Sequence, residues 1–430
     1  MSDLPSVQPL PEPPWSDLLE RSGADVEAVA ADVAAIVDAV RARGDAAVHE
    51  YTARFDGVDL DRLRVDDEAI AAARDELDPE AVEAIEAAAG AIDRFHERQR
   101  PESWIETVAP GVEAGTLVRP LDTVGCYAPG GAARYPSSVL MTAVPARVAG
   151  VDRVVACTPP GPAGTVDAAT RLAADIAGVD DLFAIGGAQA IAAMAYGTAS
   201  VPAVDKVVGP GNVYVTAAKR EVMRDVDIDV LAGPTEVLIV ADDSADPTAV
   251  AWDLVAQSEH DPDCASVLVS TDGDLAEAVR AELASILDDF AREAVVSEAL
   301  AAHGRLLVAD SIADAIAFAN AYAPEHLQLM VADPEASLDD VEAAGTVFLG
   351  HATSTSAGDY AIGPSHVLPT SGAATRRSGI STFAFVRTPT VQRVTDAGLT
   401  ALAPTIEALA HLEGLPGHAE AVRVRLEDAP

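Results

Sequence analysis

The sequence DVLAGPTEVLIVADDSADPTAVAWDLVAQSEH, residues 229–260, contains a turn, an apolar run and an amphipathic segment in succession. The apolar run at 237–241 shows no alternation with polar residues and lies between a proline turn and an acidic pair. This pattern predicts a strand that is buried on both faces. A Ser-x-Asp-Pro segment follows, and apolar residues at helical spacing then continue to Val255, which predicts a helix. The stretch therefore predicts one strand–helix unit of a parallel α/β sheet.

The predicted helix ends in Gln257-Ser258-Glu259-His260. Gln257 and His260 are three residues apart, so they project from the same face of its last turn. An amide oxygen beside an imidazole nitrogen is suited to half of a divalent-metal site. The alternative is a helix that simply ends in polar residues, and these four residues do not decide between the two interpretations.

Short strands, glycine turns and helices also alternate in the rest of the chain. Strands are predicted at 124–127, 154–157, 182–185, 206–208, 265–270, 305–308 and 327–331. Helices are predicted at 25–43, within 66–98, and at 138–149, 166–176, 274–290 and 312–322. The alternation predicts an α/β fold with parallel, doubly wound sheets. From Ser381 the pattern changes, and it predicts a strand at 383–386 and a helical region at 388–425 that is interrupted at 414–417.

Length and composition indicate a large globular protein. A chain of 430 residues of which 49% are hydrophobic suggests two major domains. No apolar run approaches the roughly 18 residues of a membrane span, and the N-terminus lacks the features of a signal peptide, so we expect a cytoplasmic protein. Three cysteines without a CxxC pair argue against a disulfide framework and against a thiolate zinc site.

The charge balance is strongly acidic, with 28 Lys and Arg against 69 Asp and Glu and a net charge of −41. Such a surface repels nucleic acid and anionic membranes, so neither is an expected partner. The carboxylates are scattered along the helices and lysine is scarce, which fits a protein adapted to molar intracellular salt. At about 1 M salt the Debye length is about 3 Å, and self-repulsion is screened. We therefore expect dilute buffer to destabilise the protein.

Five of the nine histidines lie in the range from His326 to His418, so we expect functional residues in this region. We interpret three histidines elsewhere, which have no partner motif, as surface residues: His49, His96 and His303. Two more lie near other motifs but receive no role: His351 and His411.

Glu325 and His326 follow a proline at a predicted turn before a strand. A carboxylate and an imidazole are the usual general bases near neutral pH. Adjacent side chains on an extended segment point in opposite directions, so their roles need not be the same. The alternative is an ordinary charged pair in a loop.

Glycine turns that follow predicted strands are the candidate cofactor sites. The chain has no GxGxxG fingerprint. Gly130-Gly131, Gly186-Gly187 and Gly209-Pro210-Gly211 could each admit a phosphate or a ring near backbone amides. Each could equally be a tight turn.

The motifs, in order, resemble the histidinol dehydrogenase family over nearly the whole chain. They are YAPGG at 127–131, GGAQ at 186–189, GPGN at 209–212, AGPTE at 232–236, QSEH at 257–260, APEH at 323–326, GDY at 358–360, GPSHVLPT at 363–370 and EGLPGH at 413–418. The resemblance implies two incomplete Rossmann-like, doubly wound domains of the aldehyde-dehydrogenase type, with small N- and C-terminal appendages. We expect an N-terminal arm at 1–24, a discontinuous larger domain at 25–125 and 237–380, an inserted NAD-binding domain at 126–236, and a small helical domain at 381–430.

The resemblance also implies an activity, the NAD-dependent four-electron oxidation of L-histidinol to L-histidine through L-histidinaldehyde. His326 would take the proton of the alcohol, and Glu325 would activate the water that adds to the aldehyde. One zinc ion per subunit would orient the imidazole and amine of the substrate, a positioning role. The implied zinc ligands are Gln257, His260, Asp359 and His418.

Further contacts follow from the same resemblance. The implied substrate contacts are Thr235, Gln257, His260, His326, Asp359, Glu413 and His418, with His366 as a neighbour, and the implied NAD contacts are Tyr127, Gln189 and Asn212. His418 would reach the active site of the partner in a homodimer. Two residues depart from common family choices, Thr235 in place of serine and Ser365 in place of asparagine, and each could change substrate affinity slightly.

Two other functions are compatible with parts of the pattern. One is a cysteine-dependent aldehyde dehydrogenase with Cys126 or Cys264 as the nucleophile, although neither cysteine has an activating motif. The other is an acidic metal- or nucleotide-binding protein without turnover, which would leave Glu325 and His326 unexplained.

Overall fold

The computed structural model describes residues 4–21, 26–130 and 134–427. Its strands, in chain order, are β1 (Val7–Pro9), β2 (Trp104–Ala109), β3 (Val112–Thr116), β4 (Arg119–Pro120), β5 (Thr123–Tyr127), β6 (Arg153–Thr158), β7 (Asp181–Ala184), β8 (Lys206–Val208), β9 (Asp227–Ile228), β10 (Glu236–Ala241), β11 (Ala265–Ser270), β12 (Arg305–Val308), β13 (His326–Met330), β14 (Thr346–Leu349), β15 (Val386–Arg387) and β16 (Thr390–Val394).

The α-helices of the same residues, in chain order, are α1 (Ser16–Leu19), α2 (Val26–Arg43), α3 (Asp45–Phe55), α4 (Asp67–Ala72), α5 (Pro79–Gln99), α6 (Pro136–Ala149), α7 (Ala168–Ile176), α8 (Gly187–Tyr196), α9 (Val213–Val222), α10 (Pro247–Ser258), α11 (Gly273–Leu287), α12 (Glu293–His303), α13 (Ile312–Tyr322), α14 (Pro334–Leu338), α15 (Thr355–Ala357), α16 (Asp396–Leu412) and α17 (Pro416–Glu427). Short 3₁₀ or π turns occupy Ala73–Glu76, Gly358–Ile362, Ala373–Thr375 and Thr382–Phe385.

The chain separates into two compact units. The first comprises Met1–Gln99 and Asp122–Phe385, and the second comprises Arg100–Leu121 and Val386–Pro430. Within the described residues, the first unit contains two parallel sheets, ordered β1-β12-β11-β10-β13-β14 and β7-β6-β5-β8-β9. The doubly wound α/β class predicted from the sequence is therefore confirmed.

Strand β10 is buried along its whole length because both faces of its sheet are covered. Val237 and Ile239 pack with side chains of α10 and α11, such as Leu254. Leu238 and its neighbours on the other face pack with side chains of α13, such as Phe318. Full burial of one such side chain contributes about 1.5–3 kcal/mol, which explains why residues 237–241 of the strand are all apolar.

The second unit consists of small antiparallel sheets and two helices. Strand β3 lies between β16 and β2, and β15 pairs with β4. Helices α16 and α17 follow β16, and Gly414 with φ of +70° lies between them. The division into domains expected from the sequence stays a prediction. Residues 1–3, 22–24 and 428–430, which belong to its terminal segments, lie outside the described residues.

Several predicted elements need correction. The segment predicted as a strand at 383–386 is largely a 3₁₀ turn, Thr382–Phe385, and only Val386–Arg387 is extended. The predicted helical region at 388–425 begins with strand β16, because Thr390–Val394 pairs with β3, a contact that a local pattern does not reveal. Several elements were not predicted, among them helices α3 and α12 and strands β1 and β14.

Among the described residues, no helix is both long enough and apolar enough to cross a membrane.

Candidate active site

The candidate catalytic residues lie where β10 and β13 begin. These parallel strands are neighbours, and Val237 pairs with His326. The register places Thr235 and Glu236, at the start of β10, near Glu325 and His326, at the start of β13. The site thus lies at the amino-terminal edge of the six-stranded sheet, whereas ligands of open α/β sheets usually bind at the carboxyl edge.

The carboxylate of Glu325 is buried and held by two donors. Its Oε2 atom accepts hydrogen bonds from Thr235 Oγ1 at 2.5 Å and from the backbone N–H of Glu236 at 2.9 Å. Burial raises the pKa of Glu325, and the neighbouring His326, the hydroxyl and the amide act against that rise. A carboxylate with a raised pKa that is fixed by donors is suited to act as a general base.

The imidazole of His326 is fixed in one tautomer. Its Nδ1 atom lies 2.9 Å from the carbonyl oxygen of Glu236. Since a carbonyl only accepts, Nδ1 carries the proton and Nε2 carries the lone pair. Nε2 is buried and has no hydrogen-bond partner in the part of the chain that the structure describes. The ring is therefore oriented to accept a proton at Nε2.

The side chains of Glu325 and His326 lie close together although they are adjacent in sequence. His326 Nδ1 lies 3.5 Å from Glu325 Oε2. The expectation that neighbouring side chains of an extended segment point apart does not hold here, since Glu325 precedes the strand and His326 begins it. Both side chains are buried against the backbone of Glu236.

A pocket of about 210 Å³ lies beside His326. Its polar side chains include His326, Asp359 and His366. Apolar side chains such as Phe348 and Leu368 form much of the wall. His366 Nδ1 lies 3.2 Å from the carbonyl oxygen of Asp359, and burial lowers the pKa of His366, which favours its neutral form. The pocket can therefore accommodate a small polar molecule in contact with the neutral imidazole of His366.

The expected metal ligands in the first unit offer donor atoms of the types that a divalent ion takes. His260 Nδ1 lies 3.1 Å from the carbonyl oxygen of Ala256, which leaves Nε2 with the lone pair that a metal needs. Gln257 Nε2 donates to Thr235 Oγ1 at 2.6 Å, so the amide oxygen is the candidate ligand atom. Asp359 Oδ1 lies 3.8 Å from His326 Nε2. Oxygen and nitrogen donors without thiolate suit zinc, manganese or cobalt.

Within the described ranges, no group of three or more His, Cys, Asp or Glu side chains is arranged to hold a metal ion. The expected ligand set would not form such a group in the first unit alone. One member is an amide, Gln257, and another, His418, belongs to the second unit. Of the expected set, His260 and Asp359 would be the imidazole and carboxylate members in the first unit.

Two of the expected substrate contacts belong to the second unit. Glu413 follows the last turn of α16, and His418 lies in the first turn of α17. Both side chains are exposed on that unit. They are positioned by the turn at 413–417, where the N–H of Leu415 bonds to the carbonyl of Ala410 and the N–H of His418 bonds to that of Leu415.

The candidate cofactor residues surround turns at the carboxyl edge of the five-stranded sheet. Tyr127 ends β5, and its hydroxyl accepts the N–H of Gly187 at 3.0 Å. Gly209 has a φ of +118°, and a Cβ there would lie 2.0 Å from the carbonyl oxygen of Tyr127, so only glycine fits. Turns at this edge of a parallel sheet are the usual place for a nucleotide. Gly131, in the first of the three glycine turns, lies outside the described residues.

Gln189 and Asn212 have different environments near these turns. Gln189 is buried, and its Oε1 has no hydrogen-bond partner among the residues described. Asn212 caps α9, since its Oδ1 accepts the N–H groups of Tyr214 and Val215 at 3.1 and 3.2 Å. Gln189 Oε1 can therefore accept a bond from a ligand, whereas Asn212 would have to use its amide nitrogen.

The structure corrects the interpretation of His96, and it places two further residues, Glu236 and Arg21, at the candidate site. His96 is fully buried on α5, with Nδ1 2.8 Å from Gln99 Oε1, and it is not a surface residue. It lies one turn after Ile92 on the apolar face of the helix, a spacing that could have indicated burial. Glu236 contacts both candidate bases, and its position directly after Thr235 in the sequence could have indicated this. No sequence signal indicates a role for Arg21, which forms an ion pair with Glu236.

Comparison with known proteins identifies the family of the chain. The histidinol dehydrogenase family model matches residues 19–426. A histidinol dehydrogenase of Methanothermobacter thermautotrophicus is 50% identical over 96% of this chain and 97% of the relative. That of Halobacterium salinarum is 49% identical over 96% of both chains. The crystal structure of histidinol dehydrogenase from Elizabethkingia anophelis superimposes with a TM-score of 0.96 at 38% identity and covers 99% of both chains. The chain therefore belongs to the histidinol dehydrogenase family, whose members carry out the final steps of histidine biosynthesis.

Proposed function

We propose that the chain oxidises L-histidinol to L-histidine through L-histidinaldehyde, with two molecules of NAD as electron acceptors. The observation that carries the proposal is the pair of buried bases, Glu325 and His326, which are both held by the backbone of Glu236. A two-stage oxidation needs one base for the alcohol and one for the water that adds to the aldehyde.

In the first stage His326 accepts the proton of the alcohol. Its Nε2 carries the lone pair, because Nδ1 is bonded to the carbonyl of Glu236, and Nε2 lies 3.8 Å from Oδ1 of Asp359, which also lines the pocket. NAD supplies the hydride acceptor when it is bound. In the second stage the Glu325 carboxylate accepts a proton from the water that attacks the aldehyde, which gives a hydrate ready for the second oxidation. Burial of Glu325 makes it a stronger base than an exposed glutamate.

We propose zinc as the metal, bound by Gln257, His260 and Asp359 of one subunit and by His418 of a partner subunit in a homodimer. When bound, the ion supplies ligation of the imidazole and amine of the substrate and so orients it. The fixed tautomer of His260 and the donor bond of Gln257 support this assignment. Thr235, His326 and Glu413 would complete the substrate contacts.

We propose that NAD binds at the turns after β5, β7 and β8. Tyr127, Gln189 and Asn212 would contact it, and the unsatisfied Oε1 of Gln189 supports this location. The cytoplasmic location and the preference for NAD over NADP stay predictions of the sequence.

A cysteine-dependent aldehyde dehydrogenase is the less favoured function. The three cysteines are buried, and burial raises the pKa of Cys126 and of Cys264 to about 12. A thiol with such a pKa is not a ready nucleophile. Replacement of both by alanine should therefore leave turnover unchanged.

The proposal is tested by product analysis in molar KCl. The purified chain with L-histidinol and NAD should form L-histidine, and chelation should abolish this product until zinc is returned. The matched variant is His260→Ala, for which bound zinc measured by atomic absorption should fall well below one ion per subunit. Formation of no L-histidine at any salt concentration would reject the activity, and full turnover after complete metal removal would reject the role of zinc.

A further inference from the structure

A buried ion pair lies behind the two candidate bases. Arg21 Nη1 lies 3.0 and 3.1 Å from the carboxylate oxygens of Glu236. The side chains of Arg21 and Glu236 are only 8% and 3% exposed. The N–H of Ser371 also donates to Glu236 Oε1 at 2.7 Å, and the Arg21 guanidinium lies 3.7 Å from the centroid of the Tyr322 ring. The carboxylate of Glu236 is thus held by the guanidinium of Arg21 and by the N–H of Ser371.

The backbone of the same glutamate orients both candidate bases. Its N–H donates to Glu325 Oε2 at 2.9 Å, and its carbonyl accepts from His326 Nδ1 at 2.9 Å. A rotation of this residue would weaken both bonds together. The side chain that resists such a rotation is the one that pairs with Arg21.

We propose that Arg21 and Glu236 are positioning residues, which fix the backbone of residue 236 and through it the carboxylate of Glu325 and the tautomer of His326. The inference rests on the proposed function for the catalytic roles of Glu325 and His326. Arg21 reaches the site from the N-terminal segment, which also adds β1 to the edge of the six-stranded sheet beside β12. This segment therefore has a role in the chemistry of the enzyme as well as in its fold.

Loss of Arg21 would affect the two candidate bases because it leaves the buried charge of Glu236 without its partner. A buried charge that loses its partner is strongly destabilised, so the side chain either takes up a proton or turns toward water. Burial already raises the pKa of Glu236 to about 7, and the guanidinium acts against that rise. Without Arg21 the carboxylate of Glu236 keeps the N–H of Ser371 but loses its charged partner, and the backbone of residue 236 is held less firmly.

The test uses Arg21→Met, with Arg21→Lys as the conservative variant. A matched control is Arg171→Met, which removes a guanidinium of similar exposure, 10%, from an ion pair with Glu76 outside the candidate site. Arg21→Met should lower kcat about tenfold or more with little change in the KM for L-histidinol, because small displacements of catalytic groups are costly. Arg21→Lys should restore part of that loss, and Arg171→Met should leave kcat unchanged.

A second readout does not depend on turnover. In protein labelled with ¹⁵N-histidine, the resonances of His326 are identified by their absence from the His326→Gln spectrum. His326 should show the tautomer protonated at Nδ1 in the unmodified protein and in Arg171→Met, but a mixture of tautomers in Arg21→Met. If Arg21→Met keeps the Nδ1 tautomer, the inference is overturned whatever its activity. If the unmodified protein shows the Nδ1 tautomer but forms no L-histidine, only the proposed function fails.

Discussion

The hydroxyl of Thr235 donates to Glu325 Oε2 across 2.5 Å. The same hydroxyl accepts a hydrogen bond from Gln257 Nε2 at 2.6 Å. A threonine hydroxyl has one proton, and here that proton is directed to the carboxylate because the amide of Gln257 supplies the other bond. Thr235 therefore connects a proposed metal ligand to the proposed base of the second oxidation.

Replacement of Thr235 by valine should slow the oxidation of L-histidinaldehyde. Valine has a similar shape but leaves the carboxylate and the Gln257 amide without this partner. Hydrogen bonds to charged groups contribute about 1.5–3 kcal/mol, so the rate should fall by a factor of about 10 to 100. Single-turnover kinetics with the aldehyde measure this rate directly. Thr235→Ser keeps the hydroxyl and should stay near the unmodified rate, and an unimpaired Thr235→Val would show that the bond has no catalytic effect.

Replacement of Glu325 by glutamine should separate the two oxidations. The amide cannot accept a proton from water, so the second stage should slow by about 10²–10⁴-fold while the first stage continues. Early in the reaction about one NADH per L-histidinol should appear in place of two. His326→Gln is the complementary variant and should slow the first stage as well. Two NADH at the normal rate from Glu325→Gln would assign the water-activating role to another group.

The pH profile of aldehyde oxidation should reflect the buried state of Glu325. Burial raises the pKa of this carboxyl, and a general base works only when it is ionised. Activity should therefore be lost, as pH falls, at a higher pH than the ordinary glutamate pKa of about 4.3 would give. The Thr235 hydroxyl lowers the pKa of Glu325, so Thr235→Val should move this acidic limb to still higher pH. A limb at the same pH in both proteins would contradict the assignment.

Salt should stabilise the protein. Its net charge is −41, and self-repulsion destabilises a compact state in dilute buffer. The melting temperature should rise by roughly 5 °C or more between 0.1 and 2 M KCl. Excluded osmolytes stabilise proteins without screening charge, so sucrose at matched osmolarity is the control and should have a smaller effect. An unchanged melting temperature in KCl would refute adaptation to salt.

Local patterns in the sequence predict the individual elements of the fold well. Strand β10 and helix α10 were predicted near their observed bounds, because an uninterrupted apolar run and an Asp-Pro helix start are local signals. Strand β16 was predicted as helix, because its extended form depends on pairing with β3, which lies far away in the chain. Such pairings follow from tertiary structure and override local propensity.

The family resemblance suggests candidate site residues, but it does not give their geometry. Glu325 and His326 are about 90 residues from Thr235 and Glu236, and only the register between β10 and β13 brings them together. The roles of Glu236 and Arg21 arise from that register and from an ion pair across 215 positions of the chain. No spacing rule connects residues that are so far apart.

The most direct test of the account is the number of NADH molecules formed per L-histidinol, measured at 340 nm in molar KCl with limiting substrate. The pair of bases at Glu325 and His326 predicts two NADH per substrate, with L-histidine as the product. A yield of one NADH, with L-histidinaldehyde as the final product, would contradict the proposal that this site carries out both oxidations.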